Sequence, residues 1–394
     1  MQLRRCSVLW LEPRELAHFE LGGLLAGGTG VVSRMQWFAH APHLAGAVAV
    51  EPEDVLLLGN LGPLDWIEAE SLRDRHGADR VEALLQAGLL VGDDDAWRRH
   101  READEGFRDQ HWHGLAAVGH MSTRWQGLDA IREATEEGLD TAEALRARFG
   151  PPPPMLHEPA GGGVRVALPR AAHNDFDALL DARASCRNFD TTATLPKDRF
   201  AQLLERVFAV RGRAHAADDF DVAKKTSPSG GSLHPMEAYL IVQRVEGIEP
   251  GLYHYRAGEH ALQRMPWQGT PGQLNAFARL AVVGQQYFAD AHVLVVMACR
   301  FGRNFWKYRN HAKAYRVTIL DAGHLSQTLF LSATEQGLGA FITAAINEVD
   351  IEQAFGLTGY VEGPLAVCGF GIRADTMATP ELDPNHRIWP AGPD

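Results

Sequence analysis

The stretch "RFGPPPPMLHEPAGGGVRV" constrains the fold of this chain more than any other. Each of the four prolines at 151 to 154 lacks an N–H and fixes φ near the polyproline value, so neither a helix nor a regular strand can run through them. The glycines at 161 to 163 reinforce the break. The sequence therefore predicts a first unit over 1–150, a Pro/Gly-rich linker over 151–165 and a second unit over 166–394. With 394 residues, each part is long enough to bury its own core. No repeat of fixed period occurs, and the linker is the only low-complexity piece.

Charge narrows the partners. A formal net charge of -12 argues against nucleic-acid binding, which needs a clustered basic surface. The four cysteines, Cys6, Cys186, Cys299 and Cys368, form no CxxC pair and no zinc or disulfide spacing, as expected of a reducing cytoplasm. Arg4 and Arg5 precede an uncharged stretch too short for a signal-peptide core. No apolar run approaches the roughly eighteen residues of a membrane span. The expectation is a cytoplasmic protein with no membrane contact.

Within the first unit, residues 51–94 read as three short helices followed by an apolar, glycine-marked strand, an order that suits a winged helix serving as a small structural domain or a peptide clamp. In residues 100–125, His100, His111, His113 and His120 interleave with Trp112 and Trp125. No carboxylate or cysteine stands at helpful spacing, so packing, or an aromatic lip over a neighbouring site, is expected there rather than a metal. The second unit alternates helix-like and strand-like segments. Its long helix, "YRVTILDAGHLSQTLFLSATEQGLG", carries Leu320, Leu325, Leu329, Phe330 and Leu331 on several faces and is predicted to be buried nearly all round. His324 and Gln327 are read as satisfied core groups of that helix, one turn apart.

Two segments carry chemistry. In "RASCRNF", Arg183, Ser185 and Arg187 alternate, so an extended backbone projects all three from one side. Two guanidinium forks and a hydroxyl there suit a phosphate. In "SPSGGSLHPMEAYLIV", Ser227, Ser229, Gly230, Gly231 and Ser232 let a flat ring or a phosphate come close to backbone N–H groups. Neither GxxxxGK[ST] nor GxGxxG is present, and the strand follows the turn instead of preceding it.

These two segments, with "GLYHY", "FWKYRN", "LDAGHLSQTLFLSATEQGLGAF" and "LAVCGFGIR", stand in the order and approximate spacing of the SagB-type dehydrogenases, the peptide-oxidising branch of the flavin nitroreductase superfamily. The resemblance covers about residues 175 to 375. It implies an α+β, nitroreductase-like fold, with an antiparallel-rich sheet wrapped by helices around a long central one, preceded by a smaller winged-helix-like domain. It also implies bound FMN, a homodimer with flavin at the subunit interface, and oxidation of residues in a ribosomally made precursor peptide, with a cyclase as a further partner.

Carried over position by position, the resemblance assigns Arg183, Ser185 and Arg187 to the FMN phosphate and ribityl chain, and Arg373 to the neighbourhood of the phosphate. Ser227, Ser229 and Gly230 match the turn along the flavin. Ala344 and Ala345 fall where the family's backbone donates to the flavin N5 edge; glycines are common there, so the alanines leave the donor unassigned. Lys307 and Tyr308 match the Lys-Tyr pair that azoline oxidases use in catalysis. Removal of a hydride and a proton requires a base within reach, which a lysine can supply while the tyrosine orients it or relays the proton. The expected reaction is azoline to azole. Desaturation of an uncyclised residue, reduction of small molecules with NAD(P)H, and non-catalytic peptide docking stand as the alternatives.

Overall fold

The computed structural model describes residues 1–157, 161 and 163–389. Residues 158–160 and 162 of the expected linker lie outside the described residues. The chain divides into two compact units, one of residues 1–124, 300–318 and 358–362, the other of 125–299, 319–357 and 363–394.

The first unit contains β1 (Gln2–Arg5), β2 (Trp10–Phe19), β3 (Val31–His40), β4 (Val48–Val50), β5 (Ile67–Glu68) and β6 (Leu90–Gly92). β1 lies between β5 and β6, antiparallel to both. The helices Pro52–Gly59, Ala69–His76 and Ala78–Gln86 bring Leu57, Leu58, Leu72, Val81 and Leu85 into one core with Leu3. Pro52 opens the first of these helices, where its missing N–H costs nothing, and Glu51 and Asp54 form a capping box. β2 and β3 pair without a break from Trp10 opposite His40 to Phe19 opposite Val31, and β4 extends that sheet.

Two of the polar groups buried in this unit, Arg4 and His120, are satisfied locally. Arg4 pairs with Asp104 at 2.7 Å, and Asp104 also accepts from the Ser7 amide and hydroxyl. His120 donates through Nε2 to the Gly359 carbonyl, which leaves Nδ1 to accept from the Tyr315 hydroxyl. Burial pushes its imidazole down to about 4, so the ring is neutral, stacked against Trp112 at 5.2 Å. In the His/Trp-rich stretch, His120 and Trp112 are thus packing residues, while Trp125 is 40 % exposed.

The second unit contains β7 (Gly212–Ala217), β8 (Phe220–Lys224), β9 (Met236–Val242), β10 (Gly251–Arg256), β11 (Ala261–Arg264), β12 (Val293–Arg300), β13 (Gly339–Thr343) and β14 (Glu362–Gly371). β7 and β8 form a hairpin; the other six make one sheet in the order β11-β10-β9-β12-β14-β13. The β11–β10, β10–β9, β9–β12 and β13–β14 pairs are antiparallel. β9 and β12 are central and covered on both faces, which is why "YLIV" and "VLVVMAC" are unbroken apolar runs. Phe341 of β13 faces Gly369 of β14; its ring stacks on Phe288 at 4.0 Å and fills the space a side chain at 369 would need, with a Cβ there only 2.2 Å from the ring.

The long helix, Ala314–Glu335, is not buried all round. Leu325, Leu329 and Phe330 face the core, but Leu320 is 60 % exposed and Ile319 50 %. Gly323, His324 and Gln327 continue the open side, so His324 and Gln327 are surface groups rather than the satisfied core pair expected from the sequence. The helix has more apolar residues than one core-facing stripe can use, and residues 319, 320, 323 and 327 repeat at helical spacing along the uncovered face. Among the described residues no helix is long and apolar enough to cross a membrane.

Candidate functional site

The helix Asp175–Ala182 delivers the arginine row. Asn174 caps its start, accepting from the amides of Phe176 and Asp177, and the helix ends at Arg183, where the backbone turns extended. The chain then runs beside β13. Ser185 bridges Ala340 in parallel, and the Cys186 amide donates to the Ala340 carbonyl at 2.8 Å. Ala184, Cys186 and Asn188 are buried, while Arg183, Ser185 and Arg187 point outward from the alternate positions.

These outward groups are differently committed. The Arg183 guanidinium lies 5.4 Å over the Phe330 ring and has no hydrogen-bond acceptor among the described residues. Ser185 is exposed, and its hydroxyl is likewise unengaged. One nitrogen of Arg187 donates to the Pro380 carbonyl at 2.9 Å, and the guanidinium lies 5.8 Å from the Tyr287 ring. A guanidinium has five N–H donors, so most of those on Arg187 remain for a ligand. Arg373 differs. It donates to Glu381 at 2.6 Å and to the Ala184 carbonyl at 3.3 Å. Its stem packs by Gly339, where an added Cβ would lie 3.0 Å from Arg373 Cγ and 2.4 Å from Cys186 Sγ.

The serine-glycine turn is fastened to the long helix. The Ser227 hydroxyl is 2.7 Å from that of Thr328 and 3.3 Å from the His324 carbonyl. Ser229 donates to Asp321 at 2.5 Å, and the Gly230 amide donates to the same carboxylate at 3.2 Å. The Ser229 oxygen in turn accepts from the His234 amide at 3.0 Å. Gly231 adopts φ 66, the left-handed conformation that glycine takes without steric cost. Burial pushes the Asp321 carboxyl above its ordinary range, against the hydrogen bonds from Ser229 and Gly230 that lower it. Asp321 was not singled out from the sequence. "LDAGH" reads as one more turn of an amphipathic helix, and only the approach of the Ser229 turn gives its carboxylate a purpose.

Past β13, Ala344 is exposed, and the Ala345 amide donates to the Thr343 hydroxyl at 3.1 Å. Lys307 and Tyr308 belong to the first unit, directly after the short helix Phe301–Phe305. Both their amides donate to the Asn304 carbonyl, and the exposed Lys307 ammonium lies 5.5 Å from the Tyr308 ring centre.

Residues 180–372 match the nitroreductase family. Together with the six-stranded sheet and its helices, that match defines the class of this part of the chain: residues 180–372 form a nitroreductase-family domain, and members of that family generally bind flavin. Three relatives narrow the class. MJ1384 of Methanocaldococcus jannaschii, named as a nitroreductase, is 29% identical over 200 residues, covering 51% of this chain and 93% of that protein. The trifolitoxin-processing protein TfxB of Rhizobium leguminosarum bv. trifolii is 30% identical over 145 residues, 36% of this chain and 38% of its own. The microcin B17-processing protein McbC of Escherichia coli is 25% identical over 162 residues, 40% of this chain and 58% of its own. The matched part of the chain is thus similar both to a protein named as a nitroreductase and to two peptide-processing proteins. Its matches span less than two thirds of the length of the two peptide-processing relatives.

Proposed function

We propose that this protein is an FMN-dependent dehydrogenase that oxidises residues of a ribosomally synthesised precursor peptide, converting an azoline ring to the azole. One observation carries the cofactor reading: Arg183 and Ser185 project from one edge beside β13 with no side-chain hydrogen bond among the described residues, next to an Arg187 that keeps spare donors. Basic and hydroxyl donors left free at alternate positions fit a phosphate monoester. The names of TfxB and McbC, which process trifolitoxin and microcin B17, support the peptide substrate.

In this reading Arg183, Ser185 and Arg187 hold the phosphate and ribityl chain. The turn at Ser227, Ser229 and Gly230, braced by Asp321, supports the ring system, and the backbone at Ala344 and Ala345 borders the ring edge. Bound FMN would supply a two-electron acceptor. Lys307 takes the proton from the atom next to the one that gives up hydride, and Tyr308 orients it. Substrate loses two hydrogens, and aromatisation of the ring favours the products. The exposed stripe of Ile319, Leu320, Gly323 and Gln327 supports a homodimer formed along the long helix. A separate cyclase would supply the azoline, and the site of action would be the cytoplasm.

The test is direct. Protein reconstituted with FMN should turn yellow and yield a peptide lighter by two hydrogens, and Lys307→Ala should keep the colour while losing turnover. Protein that stays colourless would end the proposal.

A further inference from the structure

The strongest polar cluster of the second unit outside the assigned residues is centred on Glu381, in the segment after β14. Its side chain is completely buried, yet it is a carboxylate. Burying such a charge is costly unless donors surround it, and here five do. One oxygen accepts from the Arg187 amide at 2.5 Å, the Asn188 amide at 3.0 Å and the Asn188 side-chain amide at 2.9 Å. The other accepts from Arg373 at 2.6 Å and from the Trp389 indole at 2.9 Å. Burial pushes this carboxyl up, and the donors outweigh it, so the group is held below its ordinary range.

What is held matters more than how firmly. Three of the five donors belong to Arg187 and Asn188, in the extended segment that carries the outward arginines; Arg373 follows β14, and Trp389 lies in the tail itself. Asn188 fastens the same tail a second time, its side-chain oxygen accepting from the amides of Ala378 and Thr379 and its nitrogen donating to the Thr379 carbonyl. Arg187 is gripped at both ends by neighbouring tail residues, its amide by Glu381 and its guanidinium by the Pro380 carbonyl. These contacts fix the backbone at 187 and 188, and with it the direction of the Arg187 side chain.

We propose that Glu381 is a positioning residue for the phosphate site: its buried carboxylate locks the Arg187–Asn188 backbone and Arg373 from behind, so that Arg183, Ser185 and Arg187 present their donors outward as one set. This rests on the flavin reading above. It assigns Arg373 to the brace and not to the ligand.

FMN and riboflavin share the ring system and differ by the phosphate, so their dissociation constants, measured by flavin fluorescence quenching on the full chain, separate the roles. In Glu381→Gln one oxygen is replaced by an NH2 that meets the donors of Arg373 and Trp389. FMN binding should weaken about tenfold, with riboflavin binding held within about twofold. Glu381→Asp keeps the charge one methylene short and should weaken FMN about threefold; it carries the test should the glutamine variant not fold. Equal losses for both flavins would make Glu381 a structural residue only, and unchanged FMN binding would remove it from the site; either result overturns the proposal. Wild-type protein that binds neither flavin would instead end the flavin reading, and this inference with it.

Discussion

The arginine row and the serine-glycine turn look equally polar in sequence, yet the fold uses them in opposite ways. In the turn, Ser227, Ser229 and the Gly230 amide are all spent on the long helix, on Thr328, His324 and Asp321. In the row, Arg183 rests only on the Phe330 ring, and neither it nor Ser185 makes a side-chain hydrogen bond among the described residues. A polar group with an internal partner shapes the site. One without a partner is available to a ligand. Substitutions in the turn should therefore register in stability, and substitutions in the row should register in ligand affinity.

The largest effect is expected at Arg183. Arg183→Ala should weaken FMN binding by about ten- to a hundredfold, the worth of one or two charge-assisted bonds, while urea unfolding moves by less than about 0.5 kcal/mol. A stability loss without an affinity loss would break the comparison. Asp321→Ala comes next. It strands the Ser229 hydroxyl and the Gly230 amide and should cost about 2 kcal/mol in urea unfolding of the flavin-free protein. Ser229→Ala removes one of those two bonds together with the one its oxygen accepts from the His234 amide, and should cost about 1.5 kcal/mol by the same measurement. The smallest effect is one of pH. Because the Asp321 carboxyl is raised in the fold, its stabilising share is complete below its ordinary value near 3.8 and is lost as pH rises through the raised value. Asp321→Asn should abolish that part of the pH slope, and an unchanged slope would place the titration elsewhere.

Part of the site is legible in the sequence itself. Period-two alternation put Arg183, Ser185 and Arg187 on one side, and the buried Ala184, Cys186 and Asn188 between them agree. Among the strand-like segments of the second unit, "EAYLIV" and "HVLVVMAC" are β9 and β12, although their central place in the sheet is not written in them. What could not be read depends on contacts between residues distant in sequence. Nothing near Arg373 foretells that Glu381 occupies its guanidinium, and nothing in "SPSGGS" names Asp321, some ninety residues away, as its anchor. The long helix misled for a related reason. Apolar content reports how much surface seeks cover, but not whether the chain itself supplies that cover, and Ile319 and Leu320 stay open.

The Phe341 ring lying where a side chain at 369 would stand has a consequence for anyone screening variants of this chain by colour. Position 369 should tolerate almost no replacement, because any larger residue must evict an aromatic plate wedged between β14 and Phe288. On the flavin proposal, bleached colonies mapping there would report a displaced wall, and should not be scored as hits at Arg183 or Ser185.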